Sequence, residues 1–183
     1  MVGKIVFEGK SKKGRNFLIR YIQDGDAKAM CDYMNVISQE RTFISYQGEE
    51  LVPEEEKKYV ERKIEAVEEG RSVELLAFFG EKLIGIVNLD LGVRTSQHIA
   101  GLGISIARGF RDEGIGSKFF ETVISEGKKN LKGLEIVKLS VFAKNEKAKQ
   151  IYEKFGFSEY GRLPDGVKLE KGHDDHILMY KRV

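Results

Sequence analysis

The chain has 183 residues, 33% of them charged and 41% hydrophobic, with a formal net charge of +2. That length suits one domain, 1–183, with a real core; the near-neutral balance gives no electrostatic case for nucleic acid, and the lone Cys31 excludes a disulfide framework or a cysteine metal site. Nothing resembles a signal peptide and no apolar run approaches the ~18 residues of a membrane span, so a cytoplasmic protein with no membrane partner is expected.

In chain order, "KIVFE" (4–8) and "FLIRYI" (17–22) predict two strands of a hairpin around the basic tip "GKSKKGR". With no aromatic residues interleaved, the tip is expected to be a solvated turn rather than a phosphate or nucleic-acid patch. Ala27, Met30, Cys31, Met34 and Ile37 recur at helical spacing, with Asp24 or Asp26 available as a cap. Pro53 and Glu54 to Glu56 suit the first turn of a second helix, Val60, Ile64 and Val67 form its buried stripe, and Gly70 falls just past its end. The cluster Glu49, Glu50, Glu54, Glu55 and Glu56 would attract a cationic substrate, although helix-end electrostatics accounts for it more simply.

"VELLAFFG" and "KLIGIVNLDLG" follow as strands across a short turn at Gly80-Glu81-Lys82, and "HIAGLGISIA" is a third, which predicts an antiparallel meander. Next, Ile115, Phe119, Phe120, Val123 and Ile124 share one helical face, and "LEIVKLSVFA" is the next strand. Such a strand–helix–strand unit crosses over right-handed between parallel strands. "NEKAKQIYEKFGF" places Ala148, Ile151, Tyr152 and Phe155 on one helical face, and "SEYGRLPDGVKL" and "HILMYKRV" close the chain as paired strands.

The joint between strand and helix, "RGFRDEGIGS", carries the chemistry. A P-loop requires Gly-Lys-Ser/Thr, but here Gly116 precedes Ser117 and Lys118 comes one residue late. A dinucleotide fingerprint requires a third glycine where Phe119 stands. Arg111-Asp112-Glu113-Gly114-Ile115-Gly116 does fit Arg/Gln-x-x-Gly-x-Gly/Ala. Glycines there let the backbone approach a ligand, and the unpaired amides of the new helix suit a pyrophosphate.

Together with Asn145-x-x-Ala148-x-x-Ile151-Tyr152-Glu153-Lys154-Phe155-Gly156-Phe157, this loop resembles the acyl-CoA-dependent N-acetyltransferase superfamily, GNAT. The resemblance covers residues from about 72 to 183 well, and the earlier part only by its order of strands and helices. It implies an α/β fold: a mixed, mostly antiparallel sheet with helices on both faces. The strands at 98–107 and 134–142 would splay apart around acetyl-CoA. The backbone of Ile104, Ser105 and Ile106 would pair with pantetheine. The amides of Asp112, Glu113, Gly114, Ile115, Gly116 and Ser117 would hold the pyrophosphate, with Arg111 opening the loop. Asn145 would bond the pantetheine arm, and Tyr152 would act as general acid toward the CoA sulfur. No metal is implied.

The implied reaction moves acetyl from acetyl-CoA to a primary amine by direct attack. The amine must lose a proton, and the oxyanion needs donors. The general base is open. Gly101 and Ser140 occupy positions where relatives carry glutamate, which leaves His98, the Asp174-Asp175-His176 cluster near the last strand, or a water relay. That cluster could equally form a turn. A small-molecule acceptor is favoured over a protein N-terminal or lysine amine because the Ser140 position lacks the glutamate of N-terminal acetyltransferases. A non-catalytic acyl-CoA-binding regulatory domain is the rival reading, and a homodimer is left open.

Overall fold

Eight strands join in one sheet in the order β1-β2-β3-β4-β5-β6-β8-β7, where β1 is Ile5–Lys10, β2 Asn16–Tyr21, β3 Ser72–Phe79, β4 Lys82–Leu91, β5 Ile99–Ile106, β6 Ile136–Phe142, β7 Ser158–Leu169 and β8 Gly172–Arg182. Every neighbouring pair is antiparallel except β5 and β6. The computed structural model describes residues 1–183. Four helices cover the sheet: α1 Ala27–Gln39, α2 Pro53–Glu68, α3 Ile115–Asn130 and α4 Glu146–Lys154. None is long and apolar enough to cross a membrane.

Alternation along the strands sets the two faces. Leu75, Val87 and Leu89 lie on the face that packs under α3, whose Phe119, Phe120 and Val123 are buried there. The other face carries Leu76 and Ile86, but also Ser72, Glu74, Asn88 and Asp90, and packs against α1 and α2. That face therefore holds polar side chains under helices, where each needs a partner or an opening.

α1 begins at Asp26, but the Asp26 carboxylate does not cap it. It takes a two-pronged bond from Arg20, at 2.7 and 2.6 Å, and another from the Gln23 amide at 2.8 Å. The predicted meander is present as β3-β4-β5, with Gly80-Glu81 as its two-residue turn. β8 begins at Gly172, so Asp174 and Asp175 lie inside a strand and form no turn. Each is occupied there. Asp174 accepts from the amides of Lys144 and Asp175, and Asp175 accepts from Arg162 and the Asp165 amide.

Candidate active site

β5 and β6 pair only at Ile99–Ile136, Ala100–Val137 and Gly101–Lys138. Beyond Gly101 the parallel ladder stops, while β5 stays paired to β4 through Ile106. The β6-facing backbone of 102–106 is left without a strand partner, a wedge-shaped gap in the sheet. A cleft of about 1300 Å³ runs through it. Its walls include Ile104, Ser105 and Ile106 on one side and Ser140 to Phe142 on the other.

At one end of the cleft stands the loop Arg111 to Ser117. Gly114 has φ of 81°, in the left-handed region, immediately before the first turn of α3. Asp112 is also left-handed, with φ of 68°; its carboxyl is paired with Lys147, which holds it below the usual carboxylate range. The α3 amides left unpaired by the helix geometry face this end. The Arg111 guanidinium is already occupied: it donates to the Ile106 carbonyl at 2.8 Å and to Glu40 at 2.6 Å, tying the loop to the end of α1.

Of the twelve residues expected in the site, Ile104, Ser105, Ile106, Arg111, Asp112, Gly114, Gly116, Ser117, Asn145 and Tyr152 line the cleft. The side chains of Glu113 and Ile115 do not. Ile115 is buried in the core, and Glu113 turns the other way, under the β1–β2 hairpin. The Glu113 carboxylate accepts from Ser11 Oγ at 2.8 Å and Arg15 Nε at 2.9 Å, and pairs with Arg15 Nη2 as well. The Lys12 amide donates to the Glu113 carbonyl at 2.8 Å, and Arg15 Nη2 donates to the Gly109 carbonyl at 2.6 Å. The tip is solvated at Lys10, Lys12, Lys13 and Gly14, as expected, but Ser11 and Arg15 anchor it to the loop. A buried carboxylate with few other partners recruits its cations, and Lys12 is left lining the cleft beside Gly114.

Asn145 caps α4, its Oδ1 accepting from the Ala148 amide at 3.2 Å, so only its amide donors remain for a ligand. Tyr152 is buried against Phe120, with ring centroids 5.5 Å apart. Burial pushes its phenol up to about 12, which keeps the hydroxyl protonated and able to donate.

The candidates for a base divide. His98 lies outside the cleft, at the closed end of β5, where its carbonyl accepts from Glu135 and Ile136. The gap opens at the other end, so His98 is ruled out by position. His176 lines the cleft beside Phe142, in an edge-on contact at 6.5 Å. Two carboxylates that the sequence did not single out as bases also reach it: Glu56, buried in the first turn of α2, and Glu74, fully buried on β3. A single charge inside the apolar run "VELLAFF" was the available signal for Glu74. No group of three or more His, Cys, Asp or Glu side chains converges in a way that could hold a metal.

The Acetyltransferase (GNAT) family model matches residues 37–157. Among solved structures, a GNAT acetyltransferase from Streptococcus pneumoniae is 30% identical, with a TM-score of 0.83 over 91% of this chain and 99% of that one. A ribosomal-protein-S5-alanine acetyltransferase from Vibrio fischeri is 20% identical, with a TM-score of 0.77 over 91% and 92%. A ribosomal L7/L12 alpha-N-protein acetyltransferase in complex with coenzyme A is 13% identical, with a TM-score of 0.77 over 98% of each chain. The last two likenesses are of fold. No curated protein matches the chain. With the sheet gap, the glycine loop and these matches in place, the chain belongs to the GNAT family of acyl-CoA-dependent N-acetyltransferases.

Proposed function

We propose that residues 1–183 act as one cytoplasmic catalytic domain that transfers acetyl from acetyl-CoA to the primary amine of a small, cationic acceptor. The observation that carries this reading is the sheet gap after Gly101, joined in one cleft to the glycine loop, Tyr152 and two buried carboxylates. Pyrophosphate is held by the amides of residues 112–117, with Lys12 adding a cation. Pantetheine lies along Ile104 to Ile106 and takes a hydrogen bond from Asn145. The acceptor meets the thioester from the α1/α2 side. Its nitrogen adds to the carbonyl carbon, the oxyanion is met by the unpaired amides of β5, and Tyr152 protonates the departing sulfur.

A small acceptor is favoured by the acceptor end itself. The loop after α1 is tied to the β7–β8 turn by an ion pair between Arg41 and Glu170 at 2.7 Å, and the residues after Arg41, Thr42 to Tyr46, wall the cleft. Glu56 and Glu74 beyond it favour a cation. A protein N-terminus is the second reading, supported by the ribosomal-protein acetyltransferases among the fold neighbours. Release of free thiol from acetyl-CoA tests both, against a panel of spermidine, an amino-acid amide, an aminoglycoside and a peptide with a free N-terminus. Turnover of one of the first three supports the proposal. Turnover of the peptide alone moves the acceptor to protein, and bound acetyl-CoA with no turnover makes the domain a regulatory one.

A further inference from the structure

The reaction needs a proton acceptor, and neither Gly101 nor Ser140 provides one. The sheet face under α1 and α2 offers a replacement two strands away. Glu74 pairs with Asn88 across β3 and β4, and Asn88 pairs with Gly103 across β4 and β5. Residues opposite one another in antiparallel strands share a face, so Glu74, Asn88 and position 103 form one row leading to the edge of the gap. Two inter-strand spacings, roughly 10 Å, separate its ends. Nothing fills the near end, because position 103 is glycine. A Cβ there would fall 2.6 Å from Asn88 Oδ1, so any other residue would displace the amide and block the row. Gly101 leaves the same face open beside it.

Glu74 differs from the other acids in the state of its oxygens. Asp90 is saturated, with Lys63 at 2.6 Å from each oxygen and Ser72 and Asn88 donating besides. Glu74 Oε1 has only the Tyr59 hydroxyl, at 3.5 Å. Lys63 pairs with Oε2 at 3.2 Å but makes its two short bonds to Asp90, and no other donor reaches Oε2. A fully buried carboxylate beside a cleft, held only by one long hydrogen bond and a shared ammonium, has room for a proton or a further donor. The groups facing it are Glu56, Tyr59 and Lys63 from α2 and Asp90 from β4, while α1 presents Met30 and Met34 to the same cleft.

We propose that Glu74 accepts the proton that the acceptor amine gives up as it attacks the thioester, through a short chain of water held by Asn88. This rests on the acetyltransferase reading of the cleft. The nitrogen lone pair forms the N–C bond, and the C–S pair leaves on sulfur. The nitrogen's proton passes by way of the water to Glu74, and Tyr152 gives its own proton to sulfur. Glu74 then releases a proton to solvent and Tyr152 regains one, so the net change is amine plus thioester to amide plus thiol. Burial, opposed by Lys63, raises the Glu74 carboxyl to about 7, where a base is half ionised at neutral pH.

The test is the pH dependence of kcat/KM, with acetyl-CoA and the fastest acceptor of the amine panel. The wild-type profile has an ascending limb near pH 7, well below the limb of an alkyl ammonium near 10. Glu74→Gln is expected to lose the lower limb and roughly 10²–10³ of the rate, with acetyl-CoA affinity unchanged. Tyr59→Phe removes the hydroxyl that favours the ionised carboxylate, and should move the limb to higher pH. A limb that persists in Glu74→Gln, or that vanishes in Glu56→Gln instead, overturns the assignment. If Glu74→Gln does not fold, an unmoved limb in Tyr59→Phe overturns it. A wild-type protein that acetylates no amine refutes the acetyltransferase reading and this one with it, an outcome distinct from an active enzyme whose profile ignores Glu74.

Discussion

Arg15→Met is the sharpest probe of how the phosphate loop is held. The methionine keeps much of the aliphatic stem but removes the guanidinium, whose carbon lies 4.1 Å from the Phe110 ring centroid, and with it the charge. Glu113 would then be a carboxylate with no side-chain exposure, partnered by Ser11 at 2.8 Å and by a mostly exposed Lys13 at 3.6 Å. Removing one member of a buried pair destabilises by about 3–5 kcal/mol. Ser11 remains and Lys13 can close in, so the low end applies, about 3 kcal/mol. For a chain of this size that lowers Tm by roughly 6–12 °C. Glu113→Gln strands no buried charge. It leaves Arg15 partly in water and still bonded to Gly109, at a cost of about 1–2 kcal/mol. The double variant should be more stable than the sum of the two losses implies, by at least 1 kcal/mol. Thermal and urea unfolding of all four proteins measures this, and calorimetry on the same samples should show weaker CoA binding in both single variants. Additivity within about 0.5 kcal/mol would refute the claim that the hairpin and loop are joined through this pair.

Tyr152→Phe should leave acetyl-CoA affinity nearly unchanged and lower turnover by roughly 10²–10⁴ in an assay limited by chemistry; equal turnover removes Tyr152 as the acid. Gly116→Val places a Cβ 3.2 Å from Ile106 Cδ1 at the loop, and should weaken CoA binding at least tenfold in a protein that still melts cooperatively. Lys12→Ala should weaken CoA binding and flatten its dependence on salt, since one phosphate partner is lost; unchanged salt dependence places Lys12 outside the phosphate site. Finally, Glu74 is raised from 4.5 to about 7, so the folded protein holds a proton that the unfolded chain releases. Stability should fall as pH rises through that window, and Glu74→Gln should flatten the fall and melt higher than wild type at pH 8.

Local pattern carried much of this structure into the sequence. Helical spacing in Ile115, Phe119, Phe120 and Val123 and alternation in β3 to β5 are short-range signals, and the glycine loop and the Asn145–Tyr152 segment sit where those elements begin. What stayed illegible depends on distance along the chain. Ser11 and Glu113 are 102 residues apart, so the anchoring of an otherwise solvent-facing hairpin tip cannot be read until the carboxylate beneath it is seen. Glu74 becomes interesting only when the register sets it in a row with Asn88 and Gly103. His98 looked useful as a titratable side chain at a strand end, but the sheet opens at the other end. Asp26 was a plausible cap until Arg20, six residues earlier, took its carboxylate.

The strands are not made in the order in which they lie. β8, the last of the eight strands along the chain, sits between β6 and β7. All seven residues of β6 pair with β8, but only three pair with β5, and the Val183 amide closes onto Glu135 at 2.9 Å. β1 to β5 lie in the sheet in chain order and pair with one another without β8. The second wall of the gap has almost nothing to lean on until the final eleven-residue strand arrives. The second wall of the acyl-donor cleft therefore depends on β8 being in place. Deleting residues 172–183 would remove the strand that joins the two halves of the sheet, and the truncated product would be inert and open to proteolysis.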